Sequence, residues 1–114
     1  MRIPLELAFK GVEPTAAMEE LVREQVERLQ RFEPRILACR VTVESTHRAS
    51  NAAPRGVRVN VEVSVPGQRL VSSRERGGLQ KPVEYDPYRA IRRAFIAAER
   101  QIKEASDQRQ HPWQ

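Results

Sequence analysis

The sequence predicts an α+β fold, a two-layer sandwich in the order β-α-β-β-β-α, with a four-stranded mixed sheet and both helices on one face. Three observations predict it. Four segments carry apolar residues at every second position, and two carry them at three-and-four spacing. A helix lies between the first two strands, and a right-handed crossover of that kind makes those strands parallel. The three consecutive strands that follow pair as antiparallel neighbours, so one sheet face is left for both helices to cover.

The elements follow in order. Ile3, Leu5, Leu7 and Phe9 alternate with Arg2, Pro4, Glu6 and Ala8, the pattern of a strand with one buried face. After Gly11, Thr15 stands at a helix N-cap, and Met18, Leu21, Val22, Val26, Leu29 and Phe32 form an apolar stripe that ends before Pro34. Leu37, Cys39, Val41 and Val43 then return to period two. Ser45 to Gly56 is a long connection rich in small and basic residues. Val57, Val59, Val61, Val63 and Val65 fill one face of the clearest strand, since β-branched side chains suit a pleated surface. Pro66-Gly67 turns into a shorter strand from about Arg69 to Glu75, and Arg76 to Tyr85 is a second basic loop. Asp86 caps a closing helix with Pro87 at its first position and Tyr88, Ile91, Phe95, Ala98 and Ile102 on its buried side. Residues 1–106 are expected to form one domain and residues 107–114 a disordered tail.

The 114 residues are 39% hydrophobic and 31% charged, which suits one domain with a modest core. No apolar run is long enough to span a bilayer and no signal-peptide segment opens the chain, so a cytoplasmic protein is expected. Cys39 is the only cysteine, which excludes an internal disulfide framework. Catalysis has no visible apparatus. His47 falls in the long loop, His111 in the tail and Cys39 on the core face, so no nucleophile meets a base. Two histidines and one core cysteine do not make a zinc site. Gly77-Gly78 is no phosphate-cradling motif. No catalytic residue, metal or cofactor is expected, although an RNA-processing or small-molecule activity through His47 stands as an alternative.

The formal charge is +5, distributed as −1 over residues 1–45 and +6 over residues 46–114. On the first helix, Glu19 with Arg23, Glu24 with Arg28, and Glu27 with Arg31 sit in the favourable acid-before-base order, so its outer face neutralises itself. On the second, Arg89, Arg93, Arg100 and Lys103 share one stripe opposite Ile91, Phe95 and Ile102. Like charges four apart cost a few tenths of a kcal/mol in helix stability, so the stripe makes better sense against an anion. The loops after the second and fourth strands emerge at one end of the sheet, which gathers His47, Arg48, Arg55, Arg74, Arg76 and Lys81 near Arg89. With no exposed aromatic platform, this surface suits phosphate backbone and shape more than base sequence. The expected partner is an anion, nucleic acid being favoured over a membrane because the apolar face of each helix is needed for the core, and no DNA partner is expected. A monomer is expected.

Several short segments, in order and spacing across nearly the whole chain, resemble the ribosome hibernation-promoting factor family, also called ribosome-associated inhibitor A, protein Y or sigma modulation protein. They are Val12-Glu13-Pro14-Thr15, Arg28-Leu29-Gln30-Arg31-Phe32, Cys39-Arg40-Val41-Thr42-Val43-Glu44, His47-Arg48, Val65-Pro66-Gly67, Asp86-Pro87-Tyr88-Arg89-Ala90-Ile91 and Glu99-Arg100-Gln101. The resemblance implies the same β-α-β-β-β-α fold. It also implies docking on the small ribosomal subunit and its rRNA, where mRNA and the A- and P-site tRNAs would otherwise lie, with translation inhibited under stress. A short, stand-alone form is expected. A structured-RNA module acting away from the ribosome is the alternative reading of the same surface.

Overall fold

A computed structural model describes residues 3–46, 56–72 and 84–110. The elements are β1 (Leu5–Lys10), α1 (Ala16–Phe32), β2 (Ala38–Thr46), β3 (Gly56–Val65), β4 (Gln68–Val71) and α2 (Pro87–Gln110). Their order in the sheet is β1-β2-β3-β4, with β1 parallel to β2 and the other pairs antiparallel. Gly11, at φ +69°, takes the left-handed conformation that turns β1 toward α1, and Gly67, at φ +79°, does so in the β3–β4 turn. Thr15 Oγ1 accepts the Met18 N–H (3.1 Å), as an N-cap should.

One face of the sheet is buried by alternation. Cys39, Val41 and Val43 of β2 and Val59, Val61, Val63 and Val65 of β3 meet the helices, while Arg40, Thr42, Arg58 and Asn60 stand on the open face. From α1 come Met18, Leu21, Val22, Val26 and Leu29, and from α2 come Ile91, Phe95 and Ile102. Ala90, Ala94 and Ala98 are buried too, and their small side chains let α2 lie close along β3 while its other flank meets α1. The helices run parallel to each other: Thr15 bonds Tyr88 near their starts (3.1 Å), and Arg28 reaches Glu99 further along (3.8 Å). Among the described residues no helix is long and apolar enough to cross a membrane.

Three sequence expectations need correction. Phe32 and Leu37, expected in the core, are 46% and 57% exposed, and Ile36 is buried in their place. The cause is the turn after α1: the buried Glu33 carboxylate accepts the Arg35 backbone N–H (3.0 Å) and its guanidinium (2.9 Å), and this short bend directs Ile36 inward. The fourth strand ends at Val71 and not near Glu75: the Ser72 N–H still donates to the Val61 carbonyl (2.9 Å), but the Val61 N–H is accepted by the Ser72 Oγ (3.2 Å) as the chain enters a turn; residues 73–83 lie outside the described residues. Finally, α2 continues to Gln110, so the first four residues assigned to the tail are helical. Gln108, Arg109 and Gln110 are good helix formers, and no proline intervenes before Pro112. Residues 111–114 are outside the described residues.

Cys39 is buried in β2, and burial pushes its thiol up to about 12 from an ordinary 9. An elevated value in the folded state means the folded protein holds this proton more tightly than the unfolded chain does. The resulting stability is complete below pH 9 and is lost as pH rises from about 9 toward 12. A thiol reagent at pH 8 should therefore label Cys39 only at the rate of unfolding, and fully in denaturant. Rapid labelling of the native protein would contradict this placement.

Candidate nucleic-acid interface

The surface is built from the start of α2 outward. Asp86 Oδ1 accepts the Tyr88 N–H (2.9 Å), which caps the helix ahead of Pro87, whose missing N–H costs nothing there. Glu84 organises the approach: one carboxylate oxygen accepts the Asp86 N–H (3.1 Å), and the other pairs with Arg93 two turns into the helix (3.3 Å). The backbone of Glu84 is itself fixed, because its carbonyl accepts the Val57 N–H of β3 (2.7 Å).

The underside of α2 is buried, which fixes the rotation of the helix and hence its outer face. Arg89, Arg93, Arg100 and Lys103 are all exposed there. At 100° per residue they fall within a sector of about 80°, and they span about 21 Å of helix. Arg89, Arg100 and Lys103 make no ion pair within 4 Å among the described residues, while Arg93 is held by Glu84. Two residues that the sequence reading passed over belong to the same surface. Arg92 is exposed at the edge of the stripe, and Ile96, 56% exposed, lies at its centre. The helical-wheel position of each was a usable signal, but Arg92 falls just outside the sector that the four cations define, and Ile96 reads as core by type.

The surfaces around the stripe are self-compensated. On the open sheet face Arg40 pairs with Glu6 of β1 and Glu62 of β3, and Glu62 also reaches Arg69 of β4 (3.8 Å). Lys10, Glu44 and Arg58 alternate in sign across the adjoining register positions. On α1, Arg28 turns to Glu99 of α2 and not to Glu24; the helix carries four glutamates against three arginines, so it has no cationic excess even without the three expected direct pairs. Arg35 is committed to Glu33, whose hydrogen bond and charge raise its basicity.

The remaining predicted contacts, His47, Arg48, Arg55, Arg74, Arg76 and Lys81, lie outside the described residues. Three of the four described ends of their segments meet at one place. Thr46 pairs with Gly56 and Val57 bonds Glu84, at the end of the sheet where α2 begins, while Ser72 lies beside Val61 midway along β3. The structure thus brings together Arg89, Arg93, Arg100 and Lys103 on one helix, with the first basic segment starting and finishing, and the second finishing, toward its first turn. No group of three His, Cys, Asp or Glu side chains with metal-binding geometry occurs among the described residues.

Comparison with known proteins places this arrangement. Residues 5–110 match the family described as sigma 54 modulation protein / S30EA ribosomal protein. A ribosomal subunit interface protein from Coxiella burnetii superposes with a TM-score of 0.68 at 16% identity, covering 92% of this chain and 99% of that one. The N-terminal domain of Protein Y from Thermus thermophilus superposes with a TM-score of 0.63 at 25% identity, covering 91% and 98%. No curated protein matches the sequence.

Proposed function

Because the chain belongs to the sigma 54 modulation protein / S30EA ribosomal protein family, we propose that it is a ribosome-associated translation inhibitor that docks on small-subunit rRNA in the path of mRNA and tRNA under stress. The observation that carries this reading is the stripe on α2 in which Arg89, Arg100 and Lys103 make no ion pair within 4 Å among the described residues and Arg93, held by Glu84, lies in line with them. Guanidinium groups along one helix face suit successive phosphates, which position a protein without reading sequence. The name of the Coxiella burnetii neighbour, a ribosomal subunit interface protein, is in keeping with a ribosomal partner. His47, for which the sequence offers no nucleophile to act on, is assigned phosphate contact, together with Arg48, Arg55, Arg74, Arg76 and Lys81 from the two loops.

The test is cosedimentation with purified small subunits in competition with tRNA. Binding that tRNA displaces is the expected result. Binding to structured RNA with no preference for the subunit would favour action away from the ribosome. Salt supplies a second measurement, because cations condensed on RNA are released when arginine replaces them. About five phosphate contacts give a slope of roughly −3.5 to −4.5 in log affinity against log salt. A slope near zero would mean that the contact is with protein or through apolar surface.

A further inference from the structure

Among the described residues β1 is an edge strand, and its outer side has no neighbour in the sheet. The Cys39 N–H donates to the Pro4 carbonyl (3.0 Å), which fixes the alternation of the parallel ladder. Even-numbered residues of β1 turn their N–H and C=O toward β2, so Leu5, Leu7 and Phe9 turn theirs to the free edge. The side chains of the same three residues are only half-buried, and they floor a groove of about 540 Å³ under α1, whose wall carries Glu19, Arg23 and Glu27. An open edge with apolar side chains beside it is the feature that natural sheets usually blunt.

We propose that a second copy of this chain occupies the edge, two β1 strands pairing antiparallel about a two-fold axis through Ala8 to make one continuous eight-stranded sheet. Register and charge identify the occupant. Opposed residues in an antiparallel pair share a face, so only pairings between residues of like parity are allowed. Leu7 opposite Phe9 of the second copy joins the free-edge groups in four backbone hydrogen bonds. The same register sets Glu6 against Lys10 of the second copy, twice, on the open face, with the two Ala8 residues meeting at the axis. A shift of one residue in each strand, in either direction, sets Ala8 against a charged residue and removes both opposite-charge pairs.

The helices agree with this register. A short connection from Gly11 to Thr15 makes α1 run antiparallel to β1. Ala8 lies roughly 7–10 Å back from the end of its strand, which is about five or six helical residues into α1. The axis therefore passes at the level between Glu19 and Arg23, and each Glu19 faces Arg23 of the second copy across the groove. An isologous contact must be self-complementary in this way. The cationic stripe of α2 lies on the β3 side of the helical layer and stays free, so the pairing is independent of the RNA-binding reading.

Light scattering and sedimentation velocity from about 1 µM to about 1 mM test the pairing. The mass should rise from 13.1 kDa to twice that value. Glu6→Lys or Lys10→Glu alone places like charges opposite each other twice and should weaken association at least tenfold, whereas the double swap should restore it to within about threefold. Both side chains are exposed, but Glu6→Lys gives up the pair with Arg40 and Lys10→Glu faces Glu44 of β2, so melting curves must show each single variant and the swap folded before their masses are compared. Amide hydrogen exchange gives a readout independent of mass: Leu7 and Phe9 should become protected as concentration rises, while Glu6 and Ala8, already bonded to β2, should not change. A monomer throughout the range, a dimer indifferent to the single reversals, no restoration by the swap, or exchange at Leu7 and Phe9 that ignores concentration would each overturn the proposal.

Discussion

Changing Arg89, Arg100 and Lys103 together to Glu is expected to lower affinity for the small subunit at least a hundredfold, with the melting temperature within a few degrees of the parent. The magnitude follows from counterion release. Each phosphate contact contributes about 0.7 decade of affinity for each tenfold drop in salt, so three contacts are worth about two decades at 0.1 M relative to 1 M salt. Repulsion from the three new carboxylates adds to that loss. Arg93 is left unchanged because its partner Glu84 also holds the start of α2, and a carboxylate there would confuse unfolding with lost binding. The matched control is Arg23, Arg31 and Arg58 to Glu, three exposed residues on α1 and the open sheet face that make no ion pair within 4 Å among the described residues. Both triple variants change the net charge by the same amount. If long-range attraction by the total charge were responsible, they would lose affinity equally. A loss confined to the α2 variant assigns the contact, and equal losses or a larger loss in the control would place the RNA on another surface.

The reasons that the stripe was legible in the sequence, and that other features were not, are physical. Ile91, Phe95 and Ile102 fix which way α2 faces, and once the buried side is known the exposed side follows from the helical period alone. The alternating valines of β3 are as direct, since period two with β-branched residues has one structural solution. Phe32 and Leu37 were misread because periodicity assumes that an element extends as far as its pattern, whereas the Glu33–Arg35 bend ends the first pattern and delays the second. Arg28 and Arg93 found acids that spacing within a helix cannot reveal, one on the neighbouring helix and one in the segment before α2. The open edge of β1 is likewise invisible in the sequence. Alternation shows that a strand has one buried face, but only the strand order shows that β1 has one unpaired side.

Truncation of two isoleucines five residues apart on α2 should give opposite results, and the contrast tests how the helix is anchored beneath its cationic face. Ile91 is 0% exposed and Ile96 is 56% exposed. Removing a fully enclosed aliphatic side chain costs its transfer free energy plus the cavity it leaves, about 2–5 kcal/mol for Ile→Ala. In a domain of this size such a loss lowers the melting temperature by roughly 10–20 °C and consumes a large share of a total stability of about 5–15 kcal/mol. Ile91→Ala should also leave a cavity between α2 and the sheet, because Val61 and Val63, themselves fully enclosed, belong to the same close-packed core and relax only in part. Ile96→Ala removes a side chain that is largely in water already and introduces the best helix former, so its stability should change by less than about 0.5 kcal/mol, in the stabilising direction if at all. Thermal and urea melts of the two variants decide the matter. A large loss from Ile96→Ala, or a small one from Ile91→Ala, would mean that α2 is rotated about its axis from the position described, and the residues assigned to the RNA-facing side would rotate with it.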